Sequence, residues 1–374
     1  MNWQKIQQDF LINEERIWLN NCGVSPMPNQ VIERMRDYHE GFARHCIARQ
    51  DTTLFEARDN IKKILALLLN CSPDELAVIH NTAEGMNFIS YGYPFEEGDE
   101  VIHLQDEYPS NVYPWQNRPD KQLSLRPVAL GADDEEFLHN LEQQITEKTR
   151  VISLSAVHWL SGRPLPLEAA GALCKKNNID LVVDGAQGVG HVPIDFEKIG
   201  VAYGAFSAWK WLLGPLGLGV LYIRKEKLEK LKPVFMSTGS VVNDEEYLPY
   251  RQQLKPDTER YNYSTPSFQD YAYFEASLSY LQQIGFTRVI DHIQQLAQKL
   301  REGLQQIGFN VISGFSSAIV STASEKLDAA KLVQRLEEKK IHGSLRAARV
   351  RLAPHIFNSE EQLAEVCKIL QASV

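Results

Sequence analysis

The stretch "FSAWKWLLGPLGLG" (206–219) sets one lysine, Lys210, between two tryptophans and follows it with glycines and a proline. An amine in an apolar run loses hydration, and that loss lowers its pKa. A neutral amine is the form that attacks a carbonyl. The plain alternative is a lysine that lays its stem on apolar surface and leaves its head in water. The flanks decide what holds it. "GVLYIR" (219–224) reads as a strand just after the glycines, and "IDLVVD" (179–184) as a buried strand ending in an aspartate. "ELAVIH" (75–80), "DEVIHL" (99–104) and "RVISLSAV" (150–157) read likewise. Helical patterns such as "LEAAGALCKKNN" (167–178) lie between them, and "GMNFISYG" (85–92) is a weaker helix. Strands alternating with helices predict an α/β fold with a mainly parallel sheet.

A length of 374 residues suits one large and one small domain. From about 256 the texture shifts to long amphipathic helices and then a short α+β segment. The expected division is an N-terminal segment (1–25), a large domain (26–255) and a small C-terminal domain (256–374). A boundary near 250–260 falls in the polar stretch "DEEYLPYRQQLKPDTER". The net charge of -9, with no basic stripe, argues against nucleic acid as a partner. "RAARVR" (346–351) is the dense basic cluster. No eighteen-residue apolar run and no secretory h-region occur, so neither a membrane span nor a signal is expected. Five cysteines, at 22, 46, 71, 174 and 367, show no metal-ligand spacing. They predict a reduced, cytoplasmic protein without a metal site.

Asp184 stands at the C-terminal end of its strand, where open α/β sheets bind ligands. A carboxylate there can pair with a pyridinium nitrogen, and Gln187 follows at a turn within reach of a ring hydroxyl. The plain reading of Asp184 is a solvated Asp-Gly turn, which the apolar residues before it weaken. In "HNTAEGMN" (80–87), Thr82, Ala83 and Glu84 open a helix whose free N–H groups and hydroxyl suit an anion. A simple N-cap by Thr82 explains the same residues equally well.

Taken together, "NTAE", "VVDGAQ" and "FSAWKWLLGPLGLGVLY" resemble the class V aminotransferase family of pyridoxal-phosphate enzymes. That family includes cysteine desulfurases, selenocysteine lyase, kynureninase and isopenicillin N epimerase. The likeness covers nearly the whole chain and implies fold type I with pyridoxal 5'-phosphate in the large domain. It implies Lys210 as the Schiff-base lysine, Asp184 beside the pyridine nitrogen and Gln187 beside the ring oxygen. Thr82, Ala83, Glu84 and Ser207 would meet the phosphate. Trp209 stands where desulfurases have histidine and keeps one indole N–H for a contact. "DEYPSNVYPW" (106–115) is similar to the loop that stacks an aromatic on the cofactor, here Tyr108. In "VHWLSG" (157–162), Trp159 replaces a cofactor-contacting asparagine and would shape the substrate pocket.

"WLNNCGVSP" (18–26) matches the loop that lines the substrate site, which makes Asn20, Asn21, Cys22 and Gly23 candidates. Cys22 is read as a small residue in place of alanine rather than as a nucleophile. "RLAPHIFN" (351–358) places Arg351 as the fork for the substrate α-carboxylate. Arg346 and Arg349 read as solvated, or as a grip on a second acidic group. In "YNYSTPSF" (261–268), Ser264 and Thr265 would reach the phosphate of a partner subunit, which implies a homodimer.

The loop ahead of Arg351, "KKIHGSLRAARVRL", holds no cysteine to take up sulfur as a persulfide. The favoured expectation is therefore a lyase acting on an amino acid, cleaving a Cβ–S bond of a cysteine-derived substrate. A class V aminotransferase or an epimerase is the alternative. A cysteine desulfurase and a pyridoxal-phosphate-binding protein without turnover rank below both.

Overall fold

A computed structural model describes residues 1–46, 51–243, 245–250, 252–312 and 316–372, with the side chains of 51–54 left aside. Asp244 and Arg251, both in the expected boundary stretch, lie outside the described residues.

A short strand, β1 (Ile17–Trp18), precedes the main sheet. That sheet contains β2 (Leu76–Ile79), β3 (Glu100–Leu104), β4 (Ser124–Val128), β5 (Thr149–Ser155), β6 (Asp180–Asp184), β7 (Tyr203–Ser207) and β8 (Gly219–Ile223). Its order is β2-β8-β7-β6-β5-β3-β4. Strands β3 to β7 run parallel, whereas β8 is antiparallel to both of its neighbours. β2, β3, β6, β7 and β8 are buried throughout. They therefore read as continuous apolar runs, as strands covered on both faces do. β4 is the edge, carries Pro127 and is largely solvent-facing, so its sequence lacks that signal.

Register turns this sheet into a platform. Ser155 on β5 pairs with Asp184 on β6, and Asp184 with Ala205 on β7. The carboxyl ends of three strands thus meet along one rim. The helix Thr82–Gly92 packs down on this rim because two positions have no side chain. A Cβ on Gly85 would lie 2.5 Å from the Cβ of Ala205, and one on Gly219 would lie 2.9 Å from the Cα of Asn81.

The long helical pattern after 256 is present as Phe268–Ile284 and Phe286–Gln306, separated at Gly285 (φ 96°). The first of these packs against the helices Asn29–His45 and Asp51–Leu69. It also supports the lysine turn, since Ser277 Oγ donates to Leu213 O at 2.9 Å. Four short strands follow in the order β12-β13-β10-β9: β9 (Asn310–Val311), β10 (Val320–Ala323), β12 (Ser344–Arg346) and β13 (Arg349–Leu352). Between them in sequence, β11 (Ile341–His342) pairs in parallel with β1. The N-terminal segment is thereby drawn to the C-terminal sheet.

Candidate active site

Asp184 is buried at its strand end, where its Oδ1 accepts the Ala186 N–H at 2.9 Å. Burial pushes its carboxyl pKa up, while the Ala186 N–H and the Lys210 charge pull it back. Lys210 comes three residues after the end of β7 and is partly exposed to the cleft. Loss of hydration lowers its pKa; Asp184 and Cys22 raise it, and Arg351 lowers it further. The apolar run around Lys210 therefore serves to weaken its hold on a proton. The turn after it closes through Leu213 N–H to Lys210 O at 3.2 Å, with Leu213 left-handed (φ 56°).

At the neighbouring helix start the structure departs from the expected cap. Asn81, not Thr82, is the N-cap: its Oδ1 accepts the Glu84 N–H at 2.8 Å, because Thr82 already has helical geometry. The Glu84 carboxylate accepts the His80 N–H at 2.7 Å and pairs with its ring. The Glu84 N–H expected to be free for an anion is therefore taken. Ala83 keeps a first-turn N–H with no intrahelical partner. Thr82 Oγ1 and Ser207 Oγ are both buried without a partner. Two orphaned hydroxyls beside a helix N-terminus suit a phosphate group. Trp209 lies close by, partly exposed, with its carbonyl accepting the Ser25 N–H at 2.8 Å.

Tyr108 is 44% exposed and its ring centre lies 5.8 Å from Lys210 Nζ. Trp159 meets it edge-on at 5.8 Å and anchors its indole N–H on Asp106 O at 2.8 Å. Arg351 reaches back to the same residue, donating from Nη1 to Trp159 O at 2.6 Å. Its Nε is buried without a partner.

The N-terminal loop closes the other side. Asn20 bridges to Ala353, and its side chain lies under Gly23, where a Cβ would come within 2.9 Å of it. Asn21 is buried and its amide is committed to Ala353 O (2.7 Å) and Ser25 Oγ (2.9 Å), which leaves it tying the loop down. Cys22 is buried, and its carbonyl accepts from Gln187 Nε2 at 2.8 Å. Gln187 Oε1 in turn accepts the Trp211 indole N–H at 3.0 Å. Trp211 is stacked between His191 (3.9 Å) and His355 (5.9 Å). Burial lowers these histidines to about 3 and about 4 respectively, so both rings are neutral. The amide of Gln187 is thus oriented from two sides.

Ser264 and Thr265 line a cavity of about 230 Å³ with His80, Glu84 and Gly217; its lining includes neither Lys210 nor Asp184. Sequence reasoning missed Glu107, Trp211, His191 and His355. Glu107 is buried and accepts from Tyr108 N–H, Ser155 N–H, Ser155 Oγ and Asn111 Nδ2. Its one sequence signal is an acid placed directly before the aromatic.

No helix among the described residues is long and apolar enough to cross a membrane. A probable cysteine desulfurase of Pyrococcus abyssi is 27% identical, covering 99% of this chain and 97% of that protein. A structure of a C-DES mutant with glycine covalently linked to its pyridoxal-phosphate cofactor superposes with a TM-score of 0.92 at 23% identity, covering 98% of both chains. The cystine C–S lyase C-DES in complex with its product cysteine persulfide gives 0.89 at 23% identity, over 95% of this chain and 97% of that one. The likeness to these two structures speaks for the fold. The aminotransferase class-V family model matches residues 17–347, and the buried hydroxyls, the strand-end carboxylate and the weakened lysine fit its cofactor. The chain belongs to the class-V aminotransferase family and is a pyridoxal-phosphate-dependent enzyme.

Proposed function

We propose that the enzyme cleaves the Cβ–S bond of a cysteine-derived amino acid. The observation that carries this reading is the run of contacts from Arg351 to Lys210: Arg351 Nη1 donates to Trp159 O, Trp159 meets Tyr108 edge-on at 5.8 Å, and the Tyr108 ring centre lies 5.8 Å from Lys210 Nζ. A carboxylate held by Arg351 brings an α-carbon to Lys210. The curated relative named a probable cysteine desulfurase supports sulfur chemistry.

Thr82, Ala83 and Ser207 would hold the phosphate, with Glu84 bracing the helix start and Trp209 alongside. Gln187 would face the ring oxygen and Tyr108 would cover the ring. Pyridoxal phosphate, when bound, supplies an electron sink for negative charge at Cα. Asp184 would keep a proton on the pyridine nitrogen. Lys210 Nζ, already weakened as an acid–base group, takes the proton from Cα. The Cβ–S electron pair leaves with sulfur, which gains a proton, and hydrolysis of the three-carbon remainder gives pyruvate and ammonia. Tyr108 and Trp159 shield this proton transfer from bulk water. Asn20, Cys22 and Gly23 form one wall with Arg351, tied to its strand through Asn20 and Asn21 at Ala353.

A panel of S-substituted cysteines, assayed with and without a keto acid, tests the reading. Pyruvate without acceptor supports it; turnover that needs acceptor makes the enzyme an aminotransferase, and α-proton exchange with no product an epimerase. A second reading, favoured by the relative named a probable cysteine desulfurase, is a cysteine desulfurase using Cys22. Sulfide released from free cysteine and lost in Cys22→Ala would establish it.

The same proposal includes a homodimer in which Ser264 and Thr265 reach the partner's phosphate. A fully active monomer in sedimentation at nanomolar concentration would refute that. It also keeps the division at 25/26 and 255/256 and a reduced, cytoplasmic setting, which the five free cysteines support.

A further inference from the structure

Strand β13 alternates. Val350 and Leu352 are buried in the core, so Arg349 and Arg351 share the opposite face. Across the hairpin Ser344 pairs with Arg351, and Arg346 with Arg349. Directly opposed residues lie on one face of an antiparallel pair. Three guanidinium groups therefore sit on the face from which Arg351 reaches Trp159 O, with Arg349 about 7 Å along the strand from Arg351.

This arrangement is locally unfavourable. Like charges directly opposed in a ladder repel. The turn joining them is Ala347–Ala348, with φ of 44° and 57°. A two-residue hairpin with both central residues left-handed is ordinarily made with Asn-Gly or Gly. Alanine keeps a Cβ that this conformation strains. No ion pair relieves Arg346 or Arg349 among the described residues, although acids outnumber bases in the chain. Arg346 Nη1 turns to its neighbour's carbonyl, Leu345 O, at 2.8 Å, while Arg349 Nη1 is buried with no partner at all. Local rules broken without local compensation mark a functional site.

We infer that the hairpin 344–351 is a second anion site, and that the substrate side chain ends in an anionic group, a carboxylate or sulfur oxyacid, gripped by Arg349 with Arg346. The inference rests on the preceding reading only for where the amino acid lies: Arg351 takes the α-carboxylate, and the side chain runs outward along the same row. Guanidinium groups suit such oxyanions because their paired N–H groups match two oxygens.

The test uses the holoenzyme and reads binding separately from turnover. L-α-aminoadipate and L-norleucine, matched in length, are titrated against the cofactor absorbance band. S-carboxyethyl-L-cysteine and S-butyl-L-cysteine are compared as substrates. The wild type should bind the acidic member at least about tenfold more tightly, one charged contact's worth. In Arg349→Gln the acidic-to-neutral ratio should fall close to one, and in Arg346→Gln part of the way. Arg349→Glu should turn the preference toward S-aminoethyl-L-cysteine. A wild-type ratio near one, or a ratio that survives in Arg349→Gln, overturns the inference. Failure to turn over any S-substituted cysteine with the binding ratio intact overturns the lyase reading and leaves the anion site standing.

Discussion

The two walls of the cleft are built in opposite ways. The wall with Asp184, Ser207 and Lys210 grows from long, buried, mostly parallel strands whose ends are held in register. Glu107 adds four hydrogen bonds that fix the Tyr108 loop to β5. The facing wall, with Asn20–Gly23 and Arg351, comes from strands of two to four residues joined across the length of the chain. It has left-handed alanines and two buried guanidinium nitrogens, Arg349 Nη1 and Arg351 Nε, without partners. The first wall is over-determined and its chemistry is that of the family. The second is built from short strands away from the main sheet, so its residues can change without disturbing that sheet.

The largest effect should come from the rigid wall. Lys210→Ala is expected to cost turnover on the order of 10⁴-fold or more, the upper range for a positioned acid–base group. Borohydride reduction should leave a pyridoxyl group on the peptide spanning 206–219 in the wild type and none in the variant. A pyridoxyl group on another lysine would move the reactive centre to a different wall and end the comparison.

The facing wall should fail differently. Arg351→Ala is expected to weaken amino-acid binding by about 2–5 kcal/mol, as for a buried charged hydrogen bond left without its partner, with the cofactor absorbance retained. Amines lacking the carboxylate should bind both proteins alike; an equal loss for them would assign Arg351 to the scaffold.

Glu107 tests how much the rigid wall costs to build. Burial first, and then Asp184, push its carboxyl up from 4.5 to about 7, against the pull of its hydrogen-bond donors. The folded state thus holds the proton more tightly than the unfolded chain. The stability this confers is complete below pH 4.5 and is lost as pH rises through 7, in all about 3 kcal/mol. The urea midpoint of the wild type should fall between pH 5 and 8, and Glu107→Gln should flatten that fall. An unchanged slope would mean that Glu107 stays ionised throughout.

The smallest effect sharpens the strain argument. Ala347→Asn combined with Ala348→Gly should stabilise the protein by about 1 kcal/mol, because both replacements accept left-handed φ. An unchanged melting temperature would remove strain from the description of the hairpin.

The rigid wall was the legible one. "IDLVVD" announces a buried strand because both of its faces are covered, and the aspartate ends it where the sheet meets the cleft. β4 left no such mark, as an edge strand with Pro127 needs no apolar run. Glu107 was illegible for a different reason. Its burial depends on Ser155, distant in sequence and brought alongside only by the sheet. Trp211 looked like plain core in "KWLLG", and its bond to Gln187 follows from a turn whose extent the glycines conceal. Arg351 was found through its spacing to Asn358. The row it forms with Arg349 and Arg346 needed the hairpin register to appear.

The bond from Asn21 to the carbonyl of Ala353 joins residues 332 positions apart. At ~5–20 residues per second of synthesis, the first partner waits roughly 15–65 s for the second. Through that interval the ribosome can already have released the complete main sheet with Lys210 on its rim, while Arg351 has yet to be made. An unfinished chain can therefore hold Lys210 on its sheet before Arg351 exists to face it. The wall with Asn20–Gly23 can be joined only after the strand Arg349–Leu352 has been made, later than the sheet that carries Lys210.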